Sequence, residues 1–269
     1  MELFDTHCHI HEITRKLTPV YDKWREDGVE RDPDEVIQRA HKAGVSRLLC
    51  IGTSVEDSEL AAEFVADRQN TWCSIGIHPH EADRYVGKTA ALDAFTALAN
   101  HPKVVAVGEC GLDYFYDHSP EEAQKAILKF QIELALQHDL PLSFHVREAF
   151  DDFWPIFEHY AGIRGVLHSF TDSKANMERA LKHGLYIGIN GISTFAKSAD
   201  QQDMYQRIPL DRLLLETDAP FLTPTPYRGK MCEPYHTATI AEHAAKSRGI
   251  SLQDLAAATT ANARTLFGV

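Results

Sequence analysis

Two histidines spaced two apart close the first apolar run of this chain, Leu3-Phe4-Asp5-Thr6-His7-Cys8-His9. In an extended segment side chains alternate faces, so His7 and His9 share one side about 7 Å apart while Cys8 turns away. Neutral imidazole is a ligand for divalent transition metals, and such a pair supplies half of a tetrahedral or trigonal-bipyramidal shell. Chemistry-bearing groups recur downstream, in Ile77-His78-Pro79-His80, Gly108-Glu109-Cys110-Gly111-Leu112-Asp113, His145-Val146-Arg147, Leu167-His168-Ser169-Phe170 and Glu216-Thr217-Asp218-Ala219-Pro220. Each ends or follows a short apolar run. Singly, His145 or His168 reads as a hydrogen-bonded core histidine, Glu109 as a charge beside a helix and Asp218 as a loop residue next to Pro220. Gathered in one cavity, unpaired charges would cost several kcal/mol each, and a metal centre removes that cost.

The elements that must position these groups are legible in the apolar pattern. Runs with strand propensity lie near residues 3–8, 46–51, 72–77, 104–109, 142–146, 165–168, 185–190 and 213–217, and helical periodicity fills most of the gaps. Asp32 and Pro33 open a helix whose stripe is Val36, Ile37, Ala40 and Ala43, with Gly44 at its end. Ser119-Pro120-Glu121-Glu122 opens a long amphipathic helix that stops before Pro141, and Ser173 opens another ending at Gly184. Eight short apolar strands separated by helices predict a single (β/α)8 TIM-type barrel with its site at the C-terminal strand ends. A doubly wound open sheet is the alternative, but its nucleotide-binding versions need a Gly-rich loop after the first strand, and none stands there. One domain over residues 1–269 is expected, with residues 13–31 as an irregular insertion after the first strand. Its Tyr21, Trp24 and charges suit a lid over the barrel mouth or a plain surface excursion.

Composition sets the class. The chain has 269 residues and 44% hydrophobic content, enough for a packed globular core. No apolar run approaches a membrane span, and Glu2, Asp5 and His7 interrupt what a secretory leader would need, so a cytoplasmic protein is expected. Five cysteines without CxxC spacing point to buried thiols rather than disulfides or structural zinc. The 27 Lys and Arg against 39 Asp and Glu leave a formal charge of −12, which disfavours gripping nucleic acid by bulk electrostatics. A polyanionic substrate must be attracted locally.

The ordered set of motifs resembles the TatD family of metal-dependent hydrolases, described as deoxyribonucleases, within the amidohydrolase-like barrels. The carrying residues are His7-Cys8-His9, Gly76-Ile77-His78-Pro79-His80, Gly108-Glu109-Cys110-Gly111-Leu112-Asp113-Tyr114, His145-Val146-Arg147, His168-Ser169-Phe170 and Glu216-Thr217-Asp218-Ala219-Pro220. The likeness runs through the whole chain to Asn262-Ala263 and Leu266-Phe267-Gly268. It implies two divalent ions, one held by His7, His9, Glu109 and Asp218 and the other by Glu109, His145 and His168. Four histidines lean toward Zn²⁺ or Mn²⁺ by ligand softness, whereas family nucleases are usually described with Mg²⁺.

Two such cations, two carboxylates and a bridging hydroxide leave roughly one net positive charge, which welcomes a phosphate. The expected reaction is cleavage of a DNA phosphodiester, from an end or in single strands, by a metal-activated hydroxide, with Asp218 orienting the water and taking its proton. Glu109 and Asp218 are then the catalytic carboxylates. His78, Arg147, Arg228 and Lys230 are candidates for holding substrate phosphate, and Asp113 for a hydrogen bond to a ligand histidine. After Gly229-Lys230 the chain reads Met231-Cys232-Glu233-Pro234, where family members often read Arg-Asn-Glu-Pro.

A second reading keeps the metals and changes the bond to an ester or amide, such as the aminoacyl ester of a D-aminoacyl-tRNA. RNA is a further possible substrate. A third, a barrel that binds metal or nucleic acid without turnover, predicts a missing ligand, and all six are present. No membrane and no obligate protein partner are expected.

Overall fold

The computed structural model describes residues 2–116 and 118–269. All eight expected strands form: β1 (Leu3–Cys8), β2 (Val45–Ile51), β3 (Thr71–Ile75), β4 (Val104–Asp113), β5 (Leu142–Arg147), β6 (Gly165–Leu167), β7 (Tyr186–Ile189) and β8 (Leu213–Leu215). They follow one another from β1 to β8 in one parallel sheet with helices between, the architecture of a (β/α)8 barrel. Most are buried along their length, which is why they read as apolar runs and not as alternating ones. β4 runs four residues past its expected end, so that Glu109 and Asp113 both stand on a strand. Among the described residues, no helix is long and apolar enough to cross a membrane.

By contact the chain divides into two compact units, Met1–Cys50 with Ser169–Thr265, and Ile51–His168 with Leu266–Val269. In the first, β1 pairs with β2 and β7 with β8, all parallel, and Cys8 bridges to Ala219 beyond β8. The Thr6 hydroxyl donates to the Leu215 carbonyl at 3.0 Å, and the Asp218 N–H to the His7 carbonyl at 2.8 Å. First and last strands are therefore stitched together. In the second unit β3, β4, β5 and β6 pair in order.

Of the three helix starts read from the sequence, a local cap explains two. The Asp32 carboxylate accepts from the N–H groups of Asp34 and Glu35 at 2.9 and 3.0 Å, opening helix 33–42. Ser173 caps helix 174–182 in the same way. Ser119 does not cap helix 121–137: its hydroxyl donates to the His80 carbonyl at 2.8 Å and accepts from the Asp83 N–H at 3.1 Å. That competing partner lies 39 residues away and leaves no local trace.

The segment 13–31 is also more regular than expected. It holds a short helix, Pro19–Lys23, capped by Thr18, and its Trp24 is 1% exposed. The Arg31 guanidinium ties it to Glu233 at 3.2 Å and to Asp27.

Candidate metal centre

In the first unit Leu3, Asp5 and His7 share one face of β1, followed by His9, because extended residues alternate faces. His7 and His9 do share a side, with ring centroids 5.1 Å apart. Asp218 stands opposite them on a left-handed backbone, φ 62°, a conformation that costs a non-glycine residue about 1–3 kcal/mol and that clusters at functional sites. Hydrogen bonds from the Asp218 N–H to His7 and from the His9 N–H to Ala219 hold it there.

Donors at about 2.1 Å around one tetrahedral ion lie about 3.4 Å from one another. The Nε2 atoms of His9 and His7 lie 3.4 and 3.6 Å from Asp218 Oδ1, and the three ligand atoms fall within 4.8 Å of one another. Two imidazoles and a carboxylate so spaced fit a divalent ion.

Beneath this group lies Asp5, which sequence reasoning passed over. Its carboxyl accepts from the Thr217 N–H at 2.9 Å, the His7 N–H at 3.3 Å and the Thr217 hydroxyl at 2.6 Å, joining β1 to the segment that carries Asp218. Burial pushes this carboxyl up to about 8 against those donors. The only signal was a lone acid inside an apolar strand.

In the second unit Glu109, 5% exposed, is the hub. Its Oε1 lies 2.7 Å from His145 Nδ1, 3.6 Å from His78 Nε2 and 3.8 Å from His168 Nε2. Glycine makes the crowding possible at two points. A Cβ on Gly111 would sit 1.8 Å from the His145 carbonyl oxygen, and one on Gly76 would sit 2.3 Å from the Glu109 nitrogen.

His145 is pinned between two carboxylates, with Nε2 at 2.9 Å from Asp113 Oδ2. Burial opposes protonating it, but hydrogen bonds to Asp113 and Glu109 outweigh burial and raise it to about 9. Asp113, which burial would raise, is held far below the usual carboxylate range by His145 and His80. His145 can meet a divalent ion through Nδ1 once that proton leaves, with Nε2–H kept on Asp113. That is the carboxylate-histidine arrangement that fixes a ligand tautomer.

His78 differs in kind. Burial drives it well below its ordinary value, so it is neutral, and its Nδ1 accepts from the His80 N–H at 3.1 Å. The proton therefore sits on Nε2, facing Glu109. The other three phosphate candidates are cations lying over aromatic rings. Arg147 lies 3.9 Å from the Phe115 ring centroid, Arg228 lies 3.9 Å from that of Phe195 and Lys230 lies 5.8 Å from that of Tyr227.

Two buried glutamines on helix 121–137 were not anticipated. The Gln131 amide accepts from the Ile77 N–H at 2.8 Å and donates to the Ile77 carbonyl at 2.9 Å, fixing the backbone just before His78. Gln124 does the same for Asp113 at 2.8 and 3.0 Å. Their seven-residue spacing on one helical face, within an apolar stripe, was the available signal.

A parallel (β/α)8 barrel with histidines and carboxylates gathered at its strand ends is the build of a metal-dependent hydrolase. The family model described as TatD related DNase matches residues 4–268, and the chain belongs to that family. It is 34% identical to the uncharacterized metal-dependent hydrolase YabD of Bacillus subtilis (strain 168), over 99% of each chain. It is 39% identical to the 3'-5' ssDNA/RNA exonuclease TatD of Enterobacter lignolyticus (strain SCF1), over 89% of this chain and 94% of the other. The crystal structure of YJJV, a TatD homologue from Escherichia coli k12, matches with TM-score 0.84 at 28% identity, covering 99% of this chain and 98% of that one.

Proposed function

We propose that this hydrolase cleaves phosphodiester bonds of DNA, working from an end of a single strand, at a centre for two divalent ions. His7, His9, Glu109 and Asp218 hold one ion, and Glu109, His145 and His168 hold the other. The observation that carries the reading is the spacing at Asp218, whose Oδ1 lies 3.4 and 3.6 Å from two histidine nitrogens, the separation expected of ligands on one ion. The function named for relatives at 39% and 37% identity, a 3'-5' exonuclease on ssDNA and RNA, supports the bond and brings RNA in as a second substrate. An ester or amide substrate has no such support.

When bound, the ions supply a water of lowered pKa and a Lewis acid for the phosphoryl oxygens. The protein's part is positioning. Asp218 accepts the proton of the attacking water, Asp113 keeps His145 turned toward Glu109, and neutral His78 offers its Nε2–H to a substrate oxygen. The whole chain, 1–269, acts as one barrel domain in the cytoplasm, where its five free, buried cysteines stay reduced.

Glu109→Ala tests the centre. Elemental analysis of the purified variant should show lost metal, and hydrolysis of a single-stranded oligonucleotide should fall to background. Full activity in the metal-depleted variant refutes the mechanism.

A further inference from the structure

Beside the Glu109 group, the second unit exposes two adjacent aromatic rings. Phe115 and Tyr116 are 49% and 48% exposed, the only aromatics among the large hydrophobic side chains left exposed in the described residues. Single exposed apolar residues need no explanation, but a contiguous pair beside a reaction centre marks a binding surface.

A cation completes the pair. The Arg147 guanidinium lies 3.9 Å from the Phe115 ring centroid and 4.8 Å from that of Tyr116. Its side chain is exposed, and no carboxylate within the described residues forms a salt bridge with it.

The rings are fastened to the reaction centre by one carboxylate. Asp113 Oδ1 accepts from the N–H groups of Phe115 and Tyr116 at 3.0 and 3.2 Å, while its Oδ2 meets His145 at 2.9 Å and His80 at 3.1 Å. His80 also packs edge-on against Tyr116, centroids 5.5 Å apart. The rings therefore stand next to the group formed by Glu109, His145 and Asp113.

We propose that Phe115, Tyr116 and Arg147 form a base-stacking subsite for single-stranded nucleic acid: the two rings stand edge to face, 4.7 Å apart at 88°, so that a base next to the cleaved linkage stacks on one of them with the other at its edge, and Arg147 meets a backbone phosphate. The subsite deepens the function proposed above and rests on it. Stacking on aromatic side chains is sequence-tolerant, because every base has a π-face. It also selects against duplex, whose base faces are covered by their neighbours. The positive charge at Arg147 supplies local attraction to a chain whose total charge is −12.

The test uses the metal-loaded full chain and short phosphorothioate-protected DNA strands carrying 2-aminopurine at either end. Stacking quenches that fluorophore. With the wild type, binding should quench one of the two probes. The double variant Phe115→Ala, Tyr116→Ala should lose the quench and bind about 5- to 150-fold more weakly, the range that one stacked base contributes. On strands with an abasic residue at the same end, wild type and variant should bind alike. Equal quench and equal affinity in the variant, or no quench by the wild type, overturns the subsite. Hydrolysis of unprotected strands is scored separately. A wild type that cleaves but does not quench removes the subsite alone, and one that quenches but never cleaves removes the phosphodiesterase reading and leaves the subsite standing.

Discussion

The indole N–H of Trp24 donates to the carbonyl of His9 at 3.0 Å, so the segment 13–31 holds the end of the strand that bears the first histidine pair. Trp24, buried at 1% exposure, thereby braces the end of β1.

Trp24→Phe keeps most of the packing and loses the donor. The His9 carbonyl retains the Glu12 N–H at 3.2 Å, so the expected cost is about 1 kcal/mol. Trp24→Ala also opens a cavity and should cost about 3–5 kcal/mol. Both should come off the column with less metal than the wild type. Urea unfolding and metal content read the two effects, and unchanged values in the alanine variant contradict the bracing role.

Asp113 serves His145 and the aromatic pair at once, so its removal should reach further than that of an ordinary surface acid. Asp113→Ala frees the His145 Nε2–H and the N–H groups of Phe115 and Tyr116. Losing a carboxylate that orients a ligand histidine typically costs about 10–100-fold in metal affinity or activity. A metal titration followed by oligonucleotide hydrolysis should show a loss in that range; a variant with wild-type metal affinity would place Asp113 outside the centre.

Gln131 makes two hydrogen bonds to Ile77 and is completely buried. Gln131→Leu preserves volume but strands a buried N–H and C=O, at about 1–3 kcal/mol for each unsatisfied group. Because the fault lies next to His78, hydrolysis should fall more than the surviving folded fraction explains. Thermal unfolding and specific activity on the same sample separate the two.

His236 offers a pH-dependent stability. Burial lowers it from 6.5 to about 4, against the hydrogen bond and charge of Glu233. Above pH 6.5 it is neutral folded and unfolded alike. Below that, the unfolded chain takes up a proton that the folded one refuses until about pH 4, so stability is complete above 6.5 and lost as pH falls through this window. The full span is worth about 3 kcal/mol. His236→Asn should remove that slope, so the difference in unfolding free energy between variant and wild type should move in the variant's favour from pH 7 to pH 4.5. A constant difference across that range would assign the acid sensitivity elsewhere.

By itself the amino-acid sequence determined the eight strands, the helix starts at Asp32 and Ser173 and the residue types at the strand ends. These are local properties: apolar runs mark buried parallel strands, Asp32 and Ser173 cap the helices that begin beside them, and a two-residue spacing puts His7 and His9 on one side whatever the rest does. Tertiary structure alone decided which distant groups meet. The buried acid at Asp5 reaches Thr217 across 212 positions, Ser119 leaves its own helix for His80, and Gln131 spends its amide on Ile77, 54 positions away. None of these names its distant partner in the local sequence, because a polar side chain buried in a barrel is satisfied by whichever backbone group the fold brings to it. The same holds for Arg147, whose type suggested a phosphate and whose place on two exposed rings only the folded loop could create.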